Sequence, residues 1–256
     1  MFWRFSHWRY RKSKRPKAAN EPRRLRFLWR LLIWGSRLFI LIIIVDLFYV
    51  ANIWPDWDKL SKGAVPKSNF MHIYARERKK HKNWPYRHWI RVPISKIPAH
   101  VSRAVIVGED SRFYEHGGFD FLAFREAMGR NVEKGRMRYG ASTISQQTVK
   151  NLFLSGSRTP LRKWHELLMT WGMEDRLSKR RILEIYLNIA EFGLGVYGVE
   201  AASRHYWGKS VTELSRLEAA QLAASLPSPR KHNPATATKA FQNRTERVYY
   251  WLNQNQ

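Results

Sequence analysis

Residues 104–120 read Ala104-Val105-Ile106-Val107-Gly108-Glu109-Asp110-Ser111-Arg112-Phe113-Tyr114-Glu115-His116-Gly117-Gly118-Phe119-Asp120. An apolar run ends on a carboxylate pair, with a histidine and two glycines close behind. That is an odd composition for a solvated loop. A glutamate at the lip of an apolar surface is where a raised pKa and general acid–base work become feasible. Taken alone the segment also fits a half-exposed acidic loop with no chemistry, so its meaning depends on the rest of the chain.

Working outward, the surrounding sequence is punctuated for helices. Pro98 can open a helix through Val107. Residues 119–134 place Phe121, Leu122, Phe124, Ala127 and Met128 at roughly helical spacing. Ser142 is expected to cap a helix ending near Asn151. Pro160 begins a long helix reaching about Leu177, and Ser178 caps another through Asn188. Thr212 is expected to cap a helix through Leu226, stopped by Pro227 and Pro229. A last helix is expected from Thr236 to Leu252. Few segments alternate with period two, so the expected fold is a mainly helical single domain. Residues 55–98, with prolines at 55, 66, 85, 93 and 98, read as linker and extended structure, and Arg76-Glu77-Arg78-Lys79-Lys80 as a solvated face.

The N-terminal end differs in kind. Residues 1–30 hold eleven Lys/Arg and one acid, Glu21. An apolar run from Leu31 to Ala51 follows, interrupted only by Arg37 and Asp46, and about 20 such residues let a helix cross a bilayer. Tyr49, Trp54 and Trp57 at one end and the basic tail at the other suggest an interfacial aromatic belt and a positive-inside flank. Tyr49-Val50-Ala51 suits signal cleavage poorly, so an uncleaved single-pass anchor with a cytoplasmic N-terminus is expected. The expected organisation is a basic tail over 1–30, an anchor over 31–53, a linker over 54–68 and a domain over 69–256.

The 256-residue chain carries 46 Lys+Arg against 20 Asp+Glu and no cysteine. Disulfides, thiol catalysis and cysteine metal clusters are therefore excluded. So strong a positive balance implies a polyanionic partner. The basic tail's place beside the span favours anionic lipid headgroups over nucleic acid. No His/Asp cluster has metal-ligand spacing, so no fixed metal site is expected.

Four further segments stand out, each with an ordinary explanation when read singly. Gly140-Ala141-Ser142-Thr143-Ile144-Ser145-Gln146-Gln147-Thr148-Val149-Lys150-Asn151 is a glycine loop entering a helix, able to hold an anion on free N–H groups or simply an amide-rich N-cap. Arg158-Thr159-Pro160-Leu161-Arg162-Lys163-Trp164-His165-Glu166 sets a second carboxylate among bases, as ordinary i,i+3 and i,i+4 pairing also would. Ser178 to Asn188 continues into Phe192-Gly193-Leu194-Gly195-Val196-Tyr197-Gly198. Leu217 to Pro229 reads as an alanine-rich core helix.

In this order and spacing the five segments resemble the glycosyltransferase domain of peptidoglycan synthesis, over roughly residues 69–234, in its monofunctional form. Two departures are mild: Ser145 stands where threonine is usual, and Tyr206-Trp207-Gly208-Lys209 where a phenylalanine usually precedes the glycine. The resemblance implies a mainly helical, lysozyme-like lobe with a smaller membrane-associated lobe, preceded by one transmembrane helix. It implies lipid II and a growing undecaprenyl-pyrophosphate-linked glycan chain as substrates. By position, Glu109 would be the general base and Glu166 the second catalytic carboxylate. Lys150 and Arg158 would steady the leaving pyrophosphate, and Ser142, Thr143, Gln146 and Gln147 would line the groove. Asp110, Phe113 and His116 would support the Glu109 loop, and Glu184, Tyr186 and Asn188 would be mostly scaffold. The resemblance requires no cofactor, with a divalent cation (Mg or Mn) at the pyrophosphate left open. It places the domain outside the cytoplasmic (inner) membrane, in the periplasm, with room for cell-wall synthesis or division proteins as further partners. A lytic hydrolase or lytic transglycosylase on a similar fold is the alternative. It would have no need of Lys150 and Arg158 beside its acid.

Overall fold

Serine, threonine or proline stands at the N-cap of most of the helices. The computed structural model describes residues 23–135, 140–157 and 159–254. Most of the basic tail and Arg158 thus lie outside the described residues. The chain divides into two compact units, Met1–Trp54 and Pro55–Gln256.

Among the described residues of the first unit, one helix, α1 (Arg23–Asn52), takes in the whole apolar run. Its span Arg24–Asn52 is long and apolar enough to cross a membrane, with a mean hydropathy of 2.3 in its most apolar stretch. Arg37, which interrupts that run, lies with its guanidinium 5.2 Å from the Trp34 ring centroid, a contact that softens the cost of a cation there.

The second unit is mainly helical. Its helices are α2 (Trp57–Lys62), α3 (Asn69–Lys80), α4 (Ala99–Glu109), α5 (Phe121–Glu133), α6 (Ile144–Phe153), α7 (Pro160–Arg176), α8 (Lys179–Ile189), α9 (Val199–Trp207), α10 (Arg216–Ser225) and α11 (Lys239–Gln254). Among the described residues, three very short strands, β1 (His88–Trp89), β2 (Glu191–Gly193) and β3 (Val196–Tyr197), form a sheet in the order β1-β3-β2. β1 runs parallel to β3, and β2 antiparallel to it.

Several boundaries differ from the sequence expectation. The segment expected as linker and extended chain contains α2 and α3. Asp56 caps the first and Ser68 the second, through side chains that accept from Lys59 N and Met71 N. Trp57, expected in a membrane belt, is buried and packs edge-on against Phe153 at 5.6 Å. The run 76–80 is the last turn and a half of α3, where cations meet the negative end of the helix dipole. Thr143, not Ser142, caps α6, and Ser215, not Thr212, caps α10. Each forms a capping box, with Gln146 and Glu218 respectively.

Two packed groups position the site. α4 lies against α10 and α11, and α6 lies between α7 and α8. Alanines make the first contact close: Ala104, Ala219, Ala220 and Ala223 are all buried. A Cβ added at Gly108 would come within 3.4 Å of both Ala223 and Val248, which shows how tightly the end of α4 is held. α8 is the core of the second group, with Ile182, Leu183, Ile185, Tyr186, Leu187 and Ile189 all buried. Asn188 ties this group to the segment before α4. Its amide donates to Val92 O at 2.9 Å and its Oδ1 accepts from Val92 N at 2.8 Å. Glu184 acts alongside, accepting from Ile94 N at 3.1 Å.

Candidate active site

Glu109 is the last residue of α4, so the helix aims it out of the packed α4–α10–α11 group. It lines a cleft of about 650 Å³ together with Ser142, Thr143, Gln147, Arg244, Arg247 and Trp251, among others. Gln147 Nε2 donates to Glu109 Oε2 at 2.7 Å. Burial pushes the Glu109 carboxyl up to about 7, against the opposing pull of the Gln147 hydrogen bond and of the Arg244 and Lys150 charges. A carboxyl at that value exchanges its proton near neutrality, as a general base or acid must.

The loop after Glu109 is wired to the glycine loop. Asp110 Oδ2 accepts the Ile144 N–H at 2.9 Å, and Asp110 Oδ1 meets His116 Nε2 at 2.9 Å. His116 Nδ1 accepts from Gly118 N at 3.2 Å, and Thr143 Oγ1 donates to Gly118 O at 2.7 Å. Gly118 has φ +91°, and a Cβ there would sit 2.9 Å from Thr170, so only glycine fits. Phe113 is fully buried, with Lys179 Nζ 4.5 Å above its ring. Lys179 also pairs with Glu174 at 2.8 Å, and Glu174 accepts the Ser145 hydroxyl.

Asp110, His116 and Asp120 bring ligand-type atoms within 4.8 Å of one another. Each already bonds within the protein, Asp110 to Ile144 N and His116, and His116 to Gly118 N. Asp120 takes Arg112 in a two-bond fork at 2.9 and 2.8 Å and caps α5 through Ala123 N. The cluster is a hydrogen-bonded brace for the loop.

A second hollow of about 280 Å³ is lined by Phe70, Ser142, Gln147, Lys150, Arg162, Lys163 and Glu166, with residues 155–157 at its edge. Ser142 and Gln147 line both hollows and form the boundary between them. Glu166 is buried and accepts from Arg162 and Lys163 on its own helix. Burial lowers the Lys150 pKa, and the Glu166 charge works against that fall. The hollow therefore offers a cluster of cations balanced by one carboxylate, a fitting environment for an anion.

Sequence reasoning placed Gln146 in the groove, whereas its side chain turns back to Thr143 N at 3.1 Å to close the capping box. The Thr143 hydroxyl is likewise taken up by the loop. Tyr186, read as scaffold, reaches the site instead: its hydroxyl donates to Gln147 Oε1 at 3.0 Å. Three residues of the cleft, Arg244, Arg247 and Trp251, were not anticipated. They share one face of α11 by their i, i+3 and i+7 spacing, which was the available signal. Arg244 is steadied there by Ala224 O, 3.1 Å from its guanidinium.

A carboxyl poised near neutrality beside a cationic hollow is the equipment of an acid–base enzyme acting on anionic substrates. Comparison with known proteins gives the class. Residues 76–253 match the model of the transglycosylase family, and the chain belongs to that family. It is 42% identical over 224 residues to the biosynthetic peptidoglycan transglycosylase of Thiobacillus denitrificans, covering 86% of this chain and 94% of that one. The protein of the same name from Nitrosospira multiformis is 42% identical over 225 residues, covering 87% and 94%. That of a Janthinobacterium species is 37% identical over 232 residues, covering 90% and 98%. These names are biosynthetic, and the lytic alternative is not favoured.

Proposed function

We propose that the chain polymerises lipid II into the glycan strands of peptidoglycan. One observation carries the reading: a glutamate with a pKa near 7 opens into the larger cleft, which adjoins the Lys150 hollow across Ser142 and Gln147. Two adjoining hollows suit two substrates that react with each other.

In this reading the acceptor lipid II lies in the larger cleft with its sugar 4-hydroxyl at Glu109. The carboxylate takes the hydroxyl proton as the oxygen attacks the anomeric carbon of the donor chain. The bond from that carbon to the pyrophosphate oxygen breaks, the pyrophosphate leaves with the electron pair, and configuration inverts. Negative charge grows on the leaving group, and Lys150, with Arg158, meets it. Glu166 keeps Lys150 charged and holds Arg162 and Lys163 in place. Arg130, Arg244 and Arg247, which line the larger cleft, would face the acceptor's own pyrophosphate. Cationic side chains thus fill the electrostatic role without a resident cofactor, and a divalent cation on the pyrophosphate is compatible with them.

The same reading anchors the chain in the cytoplasmic membrane through α1, N-terminus inside, with the basic tail on anionic lipid headgroups and the second unit outside. A reporter fused after Gln256 should then be active only outside the cytoplasm. The decisive experiment incubates the detergent-solubilised full chain with labelled lipid II and sizes the product with and without a muramidase. Long, muramidase-sensitive strands are expected. Replacement of Glu109 by Gln should lower their formation by about 10²–10⁴-fold, the usual share of a positioned base. Strand formation near the parent rate by that variant would reassign the base to Glu166.

A further inference from the structure

Three helices each contribute one polar side chain to a short chain of hydrogen bonds that ends at the cleft. Tyr186, on α8, is 1% exposed and donates to Gln147 Oε1 at 3.0 Å. Gln147, on α6, donates from Nε2 to Glu109 Oε2 at 2.7 Å. Glu109 ends α4. Gln147 is the link, and a primary amide has one donating end and one accepting end.

The orientation of that amide matters chemically. With Nε2 toward Glu109, the bond favours the carboxylate. With Oε1 toward Glu109, only the protonated acid could bond to it. Among the described residues the Tyr186 hydroxyl has one acceptor, Gln147 Oε1, so reversing the amide would strand a buried phenol hydrogen. Unpaired buried donors are costly. Burial and the neighbouring Glu109 and Asp110 charges push the phenol pKa well above its usual value, so Tyr186 stays a donor at every working pH.

We infer that Tyr186 is a positioning residue: its hydroxyl locks the Gln147 amide in the orientation that donates to Glu109 and so holds the glutamate in its proton-accepting form. The inference rests on Glu109 being the base. Among the described residues, none of the other charged groups acting on Glu109 hydrogen-bonds Tyr186, whose hydroxyl goes to Gln147. α11 supplies Arg244, α6 supplies Lys150, and the loop supplies Asp110. α10, also packed on α4, has its charges engaged elsewhere, Arg216 on Asn253 and Glu218 on Lys209.

The test is Tyr186→Phe in the full chain, which removes one oxygen from a buried ring. Two quantities are followed against pH: the Glu109 carboxyl resonance in protein carrying ¹³C-carboxyl glutamate, assigned with Glu109→Gln, and the polymerisation rate on lipid II. Loss of one hydrogen bond in the chain should raise the Glu109 midpoint by roughly half to one pH unit. The acidic limb of kcat should move by the same amount, giving a rate roughly 3–10-fold lower below pH 6 and unchanged above pH 9, with KM constant. Gln147→Met should produce a shift at least as large with Tyr186 intact, and adding Tyr186→Phe to it should add nothing. If Tyr186→Phe folds poorly, Tyr186→Met, which also lacks the hydroxyl, takes its place with the same expected shift. An unmoved Glu109 midpoint in Tyr186→Phe, or additive shifts in the double variant, overturns the inference. A midpoint that moves while the rate profile stays put keeps the lock and overturns Glu109 as the base.

Discussion

Asp110 Oδ2 accepts the backbone N–H of Ile144 at 2.9 Å, joining the residue after the cleft glutamate to the first turn of α6. This one bond couples two motifs that lie far apart in the chain. It also means that Glu109 and Gln147 are set relative to each other by backbone as well as by their own contact. Asp110→Asn keeps the shape but offers only one accepting oxygen to two partners, Ile144 N and His116. Turnover should fall about tenfold or more, and stability by about 1–3 kcal/mol, the cost of stranding one buried partner. Thermal melts run beside lipid II polymerisation check both, and parent values in each would remove Asp110 from the framework.

Glu109 should be a functional group that weakens the fold. Its folded pKa, about 7, stands above the ordinary value of 4.5. Between those values the folded state binds the extra proton, so stability declines as pH rises through that window and stays lower above it. Glu109→Gln, which carries no charge, should therefore stabilise the protein at pH 8 by ~2 kcal/mol after allowance for partial solvent access. At pH 4 the gain should vanish. Equal melting temperatures at pH 8 would contradict the raised value.

The acidic limb of kcat/KM should fall near pH 7, because the base must be unprotonated in the free enzyme. The Arg244 charge draws the Glu109 pKa down. Arg244→Met removes that pull and should shift the limb upward, with turnover at pH 6 reduced and partly recovered at pH 8.5. An unmoved limb would place the two groups too far apart to interact.

Glu166 and Lys150 make a prediction of opposite sign. Burial lowers the Lys150 pKa while the Glu166 charge supports it. Glu166→Gln should let it fall further, so the basic limb of the rate profile moves down and activity is lost sooner as pH rises. Lys150→Ala should reduce turnover by orders of magnitude across the range, with helical circular dichroism retained. Lys150→Arg should be milder, since a point charge suffices there. A basic limb unmoved by Glu166→Gln would show that Lys150 is not the group titrating.

Helices with explicit punctuation were legible in the sequence. Pro98, Pro160 and Ser178 open α4, α7 and α8 within a residue or two of expectation. The caps of α6 and α10 were read from the wrong hydroxyl, although the sequence held the means to choose. Thr143-x-x-Gln146 and Ser215-x-x-Glu218 fit a capping box, while Ser142-x-x-Ser145 and Thr212-x-x-Ser215 do not. α2 and α3 were hidden by nearby prolines and by charge, since only Met71 and Tyr74 of α3 are buried. Within the site, the ordered motifs pointed to Glu109, Lys150 and Glu166. The α11 wall left only the spacing of Arg244, Arg247 and Trp251 as a signal, and nothing in that spacing ties them to Glu109, whose cleft they line only once the chain is packed.

That wall has a bearing on how the protein is made. Glu109 and the loops around it leave the ribosome long before α11 does. Until Arg244, Val248 and Trp251 arrive and close on α4, the cleft has one side open to water and its glutamate lacks the guanidinium that draws its pKa down. A nascent chain cut before Lys239 would carry every motif and should still fail to lengthen a glycan strand, so activity begins only once the chain has been extended through α11.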